Sequence, residues 1–177
     1  GGELVITADA NDNLASYVRS STYPFQISAL LGDLWFECRV KVSDITDNKM
    51  GWIGGLWDNT ACSVVVPLST ANPPIMATTG SFVGFRMPEE DAGGVNAVYD
   101  SADAAQTTDA EVVVQTLVHQ MVVSTYVKLG MKFSNNYKQT GVAKLAWYVN
   151  GVEQSTQKTI PNATATDFPA TVNLGFM

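Results

Sequence analysis

The chain is poor in the residues that carry most enzyme chemistry. Among its 177 residues there is one histidine, His119, and two cysteines, Cys38 and Cys62. A zinc site needs about four nitrogen or sulfur ligands at short, paired spacing, and this set does not supply them. The cysteines read as buried free thiols, with a disulfide as the alternative. A Ser-His-Asp triad would have to use His119. That residue closes an apolar, strand-like run, and no strand–turn–helix serine motif accompanies it, so it reads as structural. Neither a G-x-G-x-x-G pattern nor a P-loop occurs, which argues against a phosphate-cradling site.

Charge is scarce as well. Charged residues make up 15% of the chain, with 10 Lys and Arg against 17 Asp and Glu, a net charge of -7. Nucleic acid is therefore not an expected partner, because phosphate binding needs a cationic footprint. No stretch approaches the ~20 apolar residues of a membrane span. Without such a span no membrane partner is expected; the opening Gly1-Gly2-Glu3-Leu4 shows neither the basic region nor the apolar core of a secretory leader, so either the start is trimmed or no leader was carried.

What the chain has is apolar residues, 46% of the total, and period-2 patterning. From Leu34 to Val42, residues Leu34, Phe36, Cys38, Val40 and Val42 face one way while Trp35, Glu37, Arg39 and Lys41 face the other. Strict alternation marks a strand with one buried and one wet face. Tyr126 to Phe133 repeats it, with Val127, Leu129, Met131 and Phe133 inward. Lys144 to Val149 does so again, with Leu145, Trp147 and Val149 inward. It ends in Asn150-Gly151, the dipeptide that best fits a type I′ hairpin because both central residues need positive φ. Further strands are expected over Glu3–Thr7, Gly51–Trp57, Cys62–Pro67, Ser81–Met87, Val95–Tyr99, Glu111–His119 and Thr171–Phe176. The spacing within Val112–Val118 also suits a helix, but three successive valines favour a strand. Ser69–Gly80 and Pro88–Gly94 read as loops. About ten short strands without helices predict an all-β protein, a single antiparallel two-sheet jelly-roll sandwich over residues 1–177.

Four groups of residues are candidates for function. The strand carboxylates Glu37, Glu111 and Glu153 form no close acidic pair of the kind glycosidases use, and Glu37 reads as an ion pair with Arg39. Asp9, Asn11, Asp12 and Asn13, and separately Glu89, Glu90 and Asp91, are oxygen-rich clusters that suit either calcium or Asx turns; turns are the reading adopted, with no metal or cofactor. Arg39, Lys41, Lys128, Lys132 and Lys144 fall on the outward faces of three strands, whereas Met87 to Val127 holds seven acids and no Lys or Arg. If the three strands share a sheet, its face is either a docking surface for an acidic partner or a lysine-protected solvent face. Trp35 and Tyr148 also point to the wet side, where such rings either stack on sugars or pack across strands.

Five phrases taken together carry a resemblance: Leu34 to Ser43, Phe82 to Arg86, Asn96 to Tyr99, Thr125 to Phe133 and Ala146 to Val152. In this order they resemble a family of tailed-bacteriophage virion proteins with a concanavalin-like, laminin-G-like jelly roll. The aromatic-Val-Asn-Gly hairpin belongs to that whole superfamily, while the Trp-Phe-Glu-x-Arg-Val-Lys-Val and Tyr-Val-Lys-Leu-Gly phrases are more specific. The resemblance runs from about Leu4 to the end. It implies a head decoration or cement protein on the capsid surface of the virion. The implied partners are the major capsid protein and copies of itself as a homo-oligomer, and there are no catalytic residues to carry over. A carbohydrate-binding module, or a fibre or adhesin domain for host attachment, is the alternative. Family members usually continue past the segment matching Val172–Met177 into a final apolar strand, so the expectation here is either that this strand is missing or that another chain or segment completes the sheet; an unpaired edge there would suit pairing with a neighbour.

Overall fold

A computed structural model of the chain describes residues 4–7, 18, 20–27, 32–46, 50–58, 81–88, 92–100, 112–134, 143–154, 158–160 and 173–176. Every regular element among them is a strand: β1 (Phe25–Gln26), β2 (Leu34–Val40), β3 (Trp52–Trp57), β4 (Phe82–Met87), β5 (Gly94–Asp100), β6 (Val112–Gln120), β7 (Val127–Ser134), β8 (Ala143–Val149), β9 (Val152–Glu153), β10 (Lys158–Ile160) and β11 (Asn173–Phe176). They build two antiparallel sheets. The larger runs β1-β11-β3-β4-β5-β6. The smaller runs β10-β8-β7-β2, with β9 also paired to β8.

Alternation dictates how the sheets meet. In β7 the odd-numbered residues Val127, Leu129, Met131 and Phe133 are buried, and in β2 exposure alternates residue by residue. Leu129, Met131, Phe133, Leu145 and Trp147 of the smaller sheet share one core cluster with Leu56, Val83, Phe85, Met87, Val95 and Ala97 of the larger. Phe85 of β4 meets Trp147 of β8 edge-on, with centroids 5.3 Å apart, which ties one sheet to the other. Two sheets over a common apolar layer have the layout of a β-sandwich.

The larger sheet is buried on its second face too. Phe82, Trp57 and Val98 form a separate cluster there, with the Phe82 ring lying over Gly55 and Gly84, which oppose each other across β3 and β4. A run such as β4, buried at all six positions, carries no alternation for the sequence to display.

The hairpin after β8 has the expected geometry. Asn150 and Gly151 have φ of 51° and 84°, and β9 folds back with Val149 opposite Val152. The Asn150 N–H donates to the Lys128 carbonyl at 2.7 Å, and the Lys128 N–H donates to the Asn150 side-chain oxygen at 3.0 Å. Val112–Val118 lies in a strand, not a helix.

Two expectations need correction, and two strands are additions. Residues 4–7 form no strand, and Leu4, Val5 and Ile6 are exposed; β-branched residues alone do not make a strand without a neighbour to pair with. The C-terminal strand is not an edge: β11 lies between β1 and β3. The short strands β1 and β10 were not anticipated. The expected strand Cys62–Pro67 and loop Ser69–Gly80 lie outside the described residues, as do Asp9, Asn11, Asp12, Asn13, Glu89, Glu90, Asp91, Cys62 and Glu111.

Candidate functional site

The outer face of the smaller sheet collects the cationic and aromatic candidates together with Glu37 and Glu153. Pairing of β2, β7 and β8 sets them in rows: Trp35 beside Lys132 and Ala146, Glu37 beside Gly130 and Tyr148, and Arg39 beside Lys128. Lys144 lies opposite Ser134 on the same face. The three strands do share a sheet, as the cationic-face reading required.

The centre of the face is aromatic. Trp35 and Tyr148 lean together with centroids 4.7 Å apart, at an interplanar angle of 56°. The glycine between them in the register makes this fit: a Cβ on Gly130 would stand 3.3 Å from Trp35 Cζ2 and 3.5 Å from Tyr148 Cβ. Trp35 remains 47% exposed. The Tyr148 hydroxyl donates to Glu153 Oε2 at 3.0 Å. Burial, then the hydrogen bond and charge of Glu153, push the Tyr148 phenol above its ordinary value.

Four of the five cations are engaged within the protein. Lys128 pairs with Glu37 at 3.3 Å and Lys132 with Asp33 at 3.4 Å. Arg39 and Lys41 both lie over the Tyr126 ring, 4.3 Å and 4.8 Å from its centroid. The expected Glu37–Arg39 pair is thus corrected. The residue directly opposite Glu37 is Gly130, which offers no side chain, so the carboxylate meets the diagonal Lys128, while Arg39 lies over Tyr126. Five cations (Arg39, Lys41, Lys128, Lys132, Lys144) against three acids (Asp33, Glu37, Glu153) leave the face at 5 − 3 = +2, in a chain of net charge -7. It is a mixed-charge lattice around an aromatic pair, with a mild cationic excess.

The remaining chemistry-bearing residues lie elsewhere. His119 lies in β6 opposite Val95, and burial pulls its imidazole below the ordinary value. Cys38 is a free thiol on the core side of β2. Among the described residues no group of three or more His, Cys, Asp and Glu could hold a metal ion. Alternation already turned Tyr126 and Gly130 outward with Lys128 and Lys132, but sequence reasoning gave those two no part in the site and did not include Asp33. Gly130 did carry a signal: a glycine on the wet side of an alternating strand leaves bare backbone that an aromatic neighbour can cover. No protein-family model, curated protein or solved structure matches the chain.

Proposed function

We propose that the chain is a virion structural protein, a decoration or cement protein on the outer surface of a tailed-phage head, built on a concanavalin-like jelly roll. One observation carries the reading. Three of the five phrases behind the family resemblance lie together: those of β2, β7 and the β8–β9 hairpin are adjacent strands of one sheet, and they form its mixed-charge, aromatic-centred outer face. Such a face suits weak docking to a capsid lattice, where many copies acting together give high avidity. Binding to purified heads of the phage that encodes the chain tests this. Saturable, lattice-wide binding that is weakened by Lys128→Glu with Lys132→Glu is the expected result. Heads that take up no protein overturn it.

The half-exposed Trp35 against Tyr148 favours a second reading, a carbohydrate-binding module for host attachment. Rings stack on sugar faces, and the neighbouring Glu153, Lys128 and Lys132 offer hydrogen bonds to hydroxyls. A glycan screen of the wild type beside Trp35→Ala separates the two. Glycan binding lost in the variant supports the sugar site, and silence across the screen removes it.

A further inference from the structure

The smaller sheet ends at β2, a seven-residue strand whose far flank pairs with no strand among the described residues. The direction of its backbone groups follows from the neighbouring strand. Lys128 of β7 exchanges both its N–H and its C=O with Asn150, on the β8 side. Backbone direction alternates along a strand, so Leu129, Met131 and Phe133 bond toward β2, where they face Cys38, Phe36 and Leu34. The N–H and C=O groups of Trp35, Glu37 and Arg39 therefore point to the open flank. The core is also thinner there. Leu34, Phe36, Cys38 and Val40 are only partly buried, whereas Val127, Leu129, Met131 and Phe133 on β7 are 0–4% exposed.

We propose that β2 docks against β2 of a second copy of this chain, antiparallel about a two-fold axis at Cys38, joining the two smaller sheets into one. The register follows from three requirements. Open-flank groups must meet open-flank groups, core faces must stay on one side, and like charges must not oppose. The first two leave only registers in which paired residue numbers add to an even total. A total of 72 opposes no like charges, but its charge pairing joins Arg39 to the partner's Asp33, a residue that lies outside β2 and already holds Lys132. A total of 74 opposes Glu37 to Glu37, and 78 opposes Arg39 to Arg39. A total of 76 opposes Glu37 to the partner's Arg39 twice and Trp35 to the partner's Lys41 twice. Phe36 then meets the partner's Val40 across the thin edge of the core. The outward sequence Trp35, Glu37, Arg39, Lys41 is thus complementary to its own reverse, as an isologous contact demands. The pairing continues both outer faces across the axis and does not depend on the virion reading. Edge pairing of this length buries little area, so the dimer is weak in solution and gains from a lattice.

At the axis the two Cys38 residues form a non-hydrogen-bonded pair, with Cα atoms about 4.5 Å apart. That lies within disulfide range. The full chain carrying Cys62→Ser is oxidised with copper–phenanthroline and examined on non-reducing gels and by mass spectrometry. The expected product has twice the 19.0 kDa chain mass, with Cys38 joined to Cys38. Glu37→Arg or Arg39→Glu alone places like charges opposite each other in both symmetry-related pairs, and the yield drops about tenfold. The double variant exchanges the two charges and recovers the yield, which separates lost docking from lost folding. Absence of the Cys38 link from the folded protein, a yield indifferent to either single reversal, or failure of the double variant to recover overturns the proposal.

Discussion

Trp35 and Tyr148 meet over a glycine. Gly130 stands opposite both Glu37 and Tyr148 in the register, and its missing side chain leaves the space the indole fills. A methyl group there would press on Trp35 Cζ2 at 3.3 Å, and a ring edge can yield a few tenths of an ångström. Gly130→Ala is expected to change stability by less than about 1 kcal/mol. Gly130→Val has no such room and displaces the indole, at a cost of about 1–2 kcal/mol. Urea unfolding measures the cost. Near-ultraviolet circular dichroism, compared with Trp35→Phe, measures loss of the ring contact.

Gly55 and Gly84 do not share that tolerance. A Cβ on Gly55 would run into the Val83 carbonyl oxygen and come within 2.7 Å of Gly84 Cα. A Cβ on Gly84 would meet the Gly54 carbonyl oxygen and Gly55 Cα, with Phe82 Cζ at 2.8 Å. The obstacles are mainly backbone of a paired strand, which cannot step aside. Gly55→Ala and Gly84→Ala are each expected to lose about 3 kcal/mol or more, well beyond Gly130→Ala. Equal midpoints for the three alanine variants in denaturant unfolding would sink this ranking.

These glycines also show where sequence reading stops. β2, β7 and β8 were legible because each has one buried and one wet face, so alternation named both the inward and the outward residues. The outward positions then brought Arg39, Lys128, Lys132, Lys144, Trp35 and Tyr148 to one face. Which of them touch depends on register between strands distant in the chain, and alternation within a strand says nothing of that. Glu37 therefore finds Lys128, not Arg39. In β4 both faces are buried and the pattern vanishes. β1 has two residues, and its partner β11 lies at the other end of the chain. A pairing that brief and that distant leaves no local mark.

The Asn150-Gly151 turn supports more than its own hairpin. Asn150 tolerates φ of 51°, and its side chain accepts the Lys128 N–H at 3.0 Å, extending the β7–β8 ladder past the last strand residue. Asn150→Ala loses the acceptor and holds a Cβ-bearing residue in left-handed backbone without local compensation. A loss of about 1–2 kcal/mol is expected. Asn150→Gly restores the backbone freedom but not the hydrogen bond and should recover part of the loss. Thermal or urea unfolding of the pair tells the two contributions apart.

Cys38 makes stability depend on alkaline pH. Burial, and secondarily the charge of Glu37, push its thiol from 9.0 up to about 11. The folded chain therefore holds the Cys38 proton more tightly than the unfolded chain. The resulting stabilisation is fully present below pH 9.0 and is lost as pH rises toward 11. The whole effect is on the order of 2 kcal/mol. Cys38→Ala lowers stability at neutral pH by removing buried volume, but the difference from wild type should shrink across this window. Tyrosine and lysine ionisation is common to both proteins and drops out of the comparison. The rate of Cys38 alkylation in a Cys62→Ser background gives an independent check, since only the thiolate reacts. Its midpoint should fall near 11, and Glu37→Gln should lower it slightly. A midpoint at the ordinary thiol value would mean that β2 exposes Cys38 to solvent, and the pH dependence of stability would vanish with it.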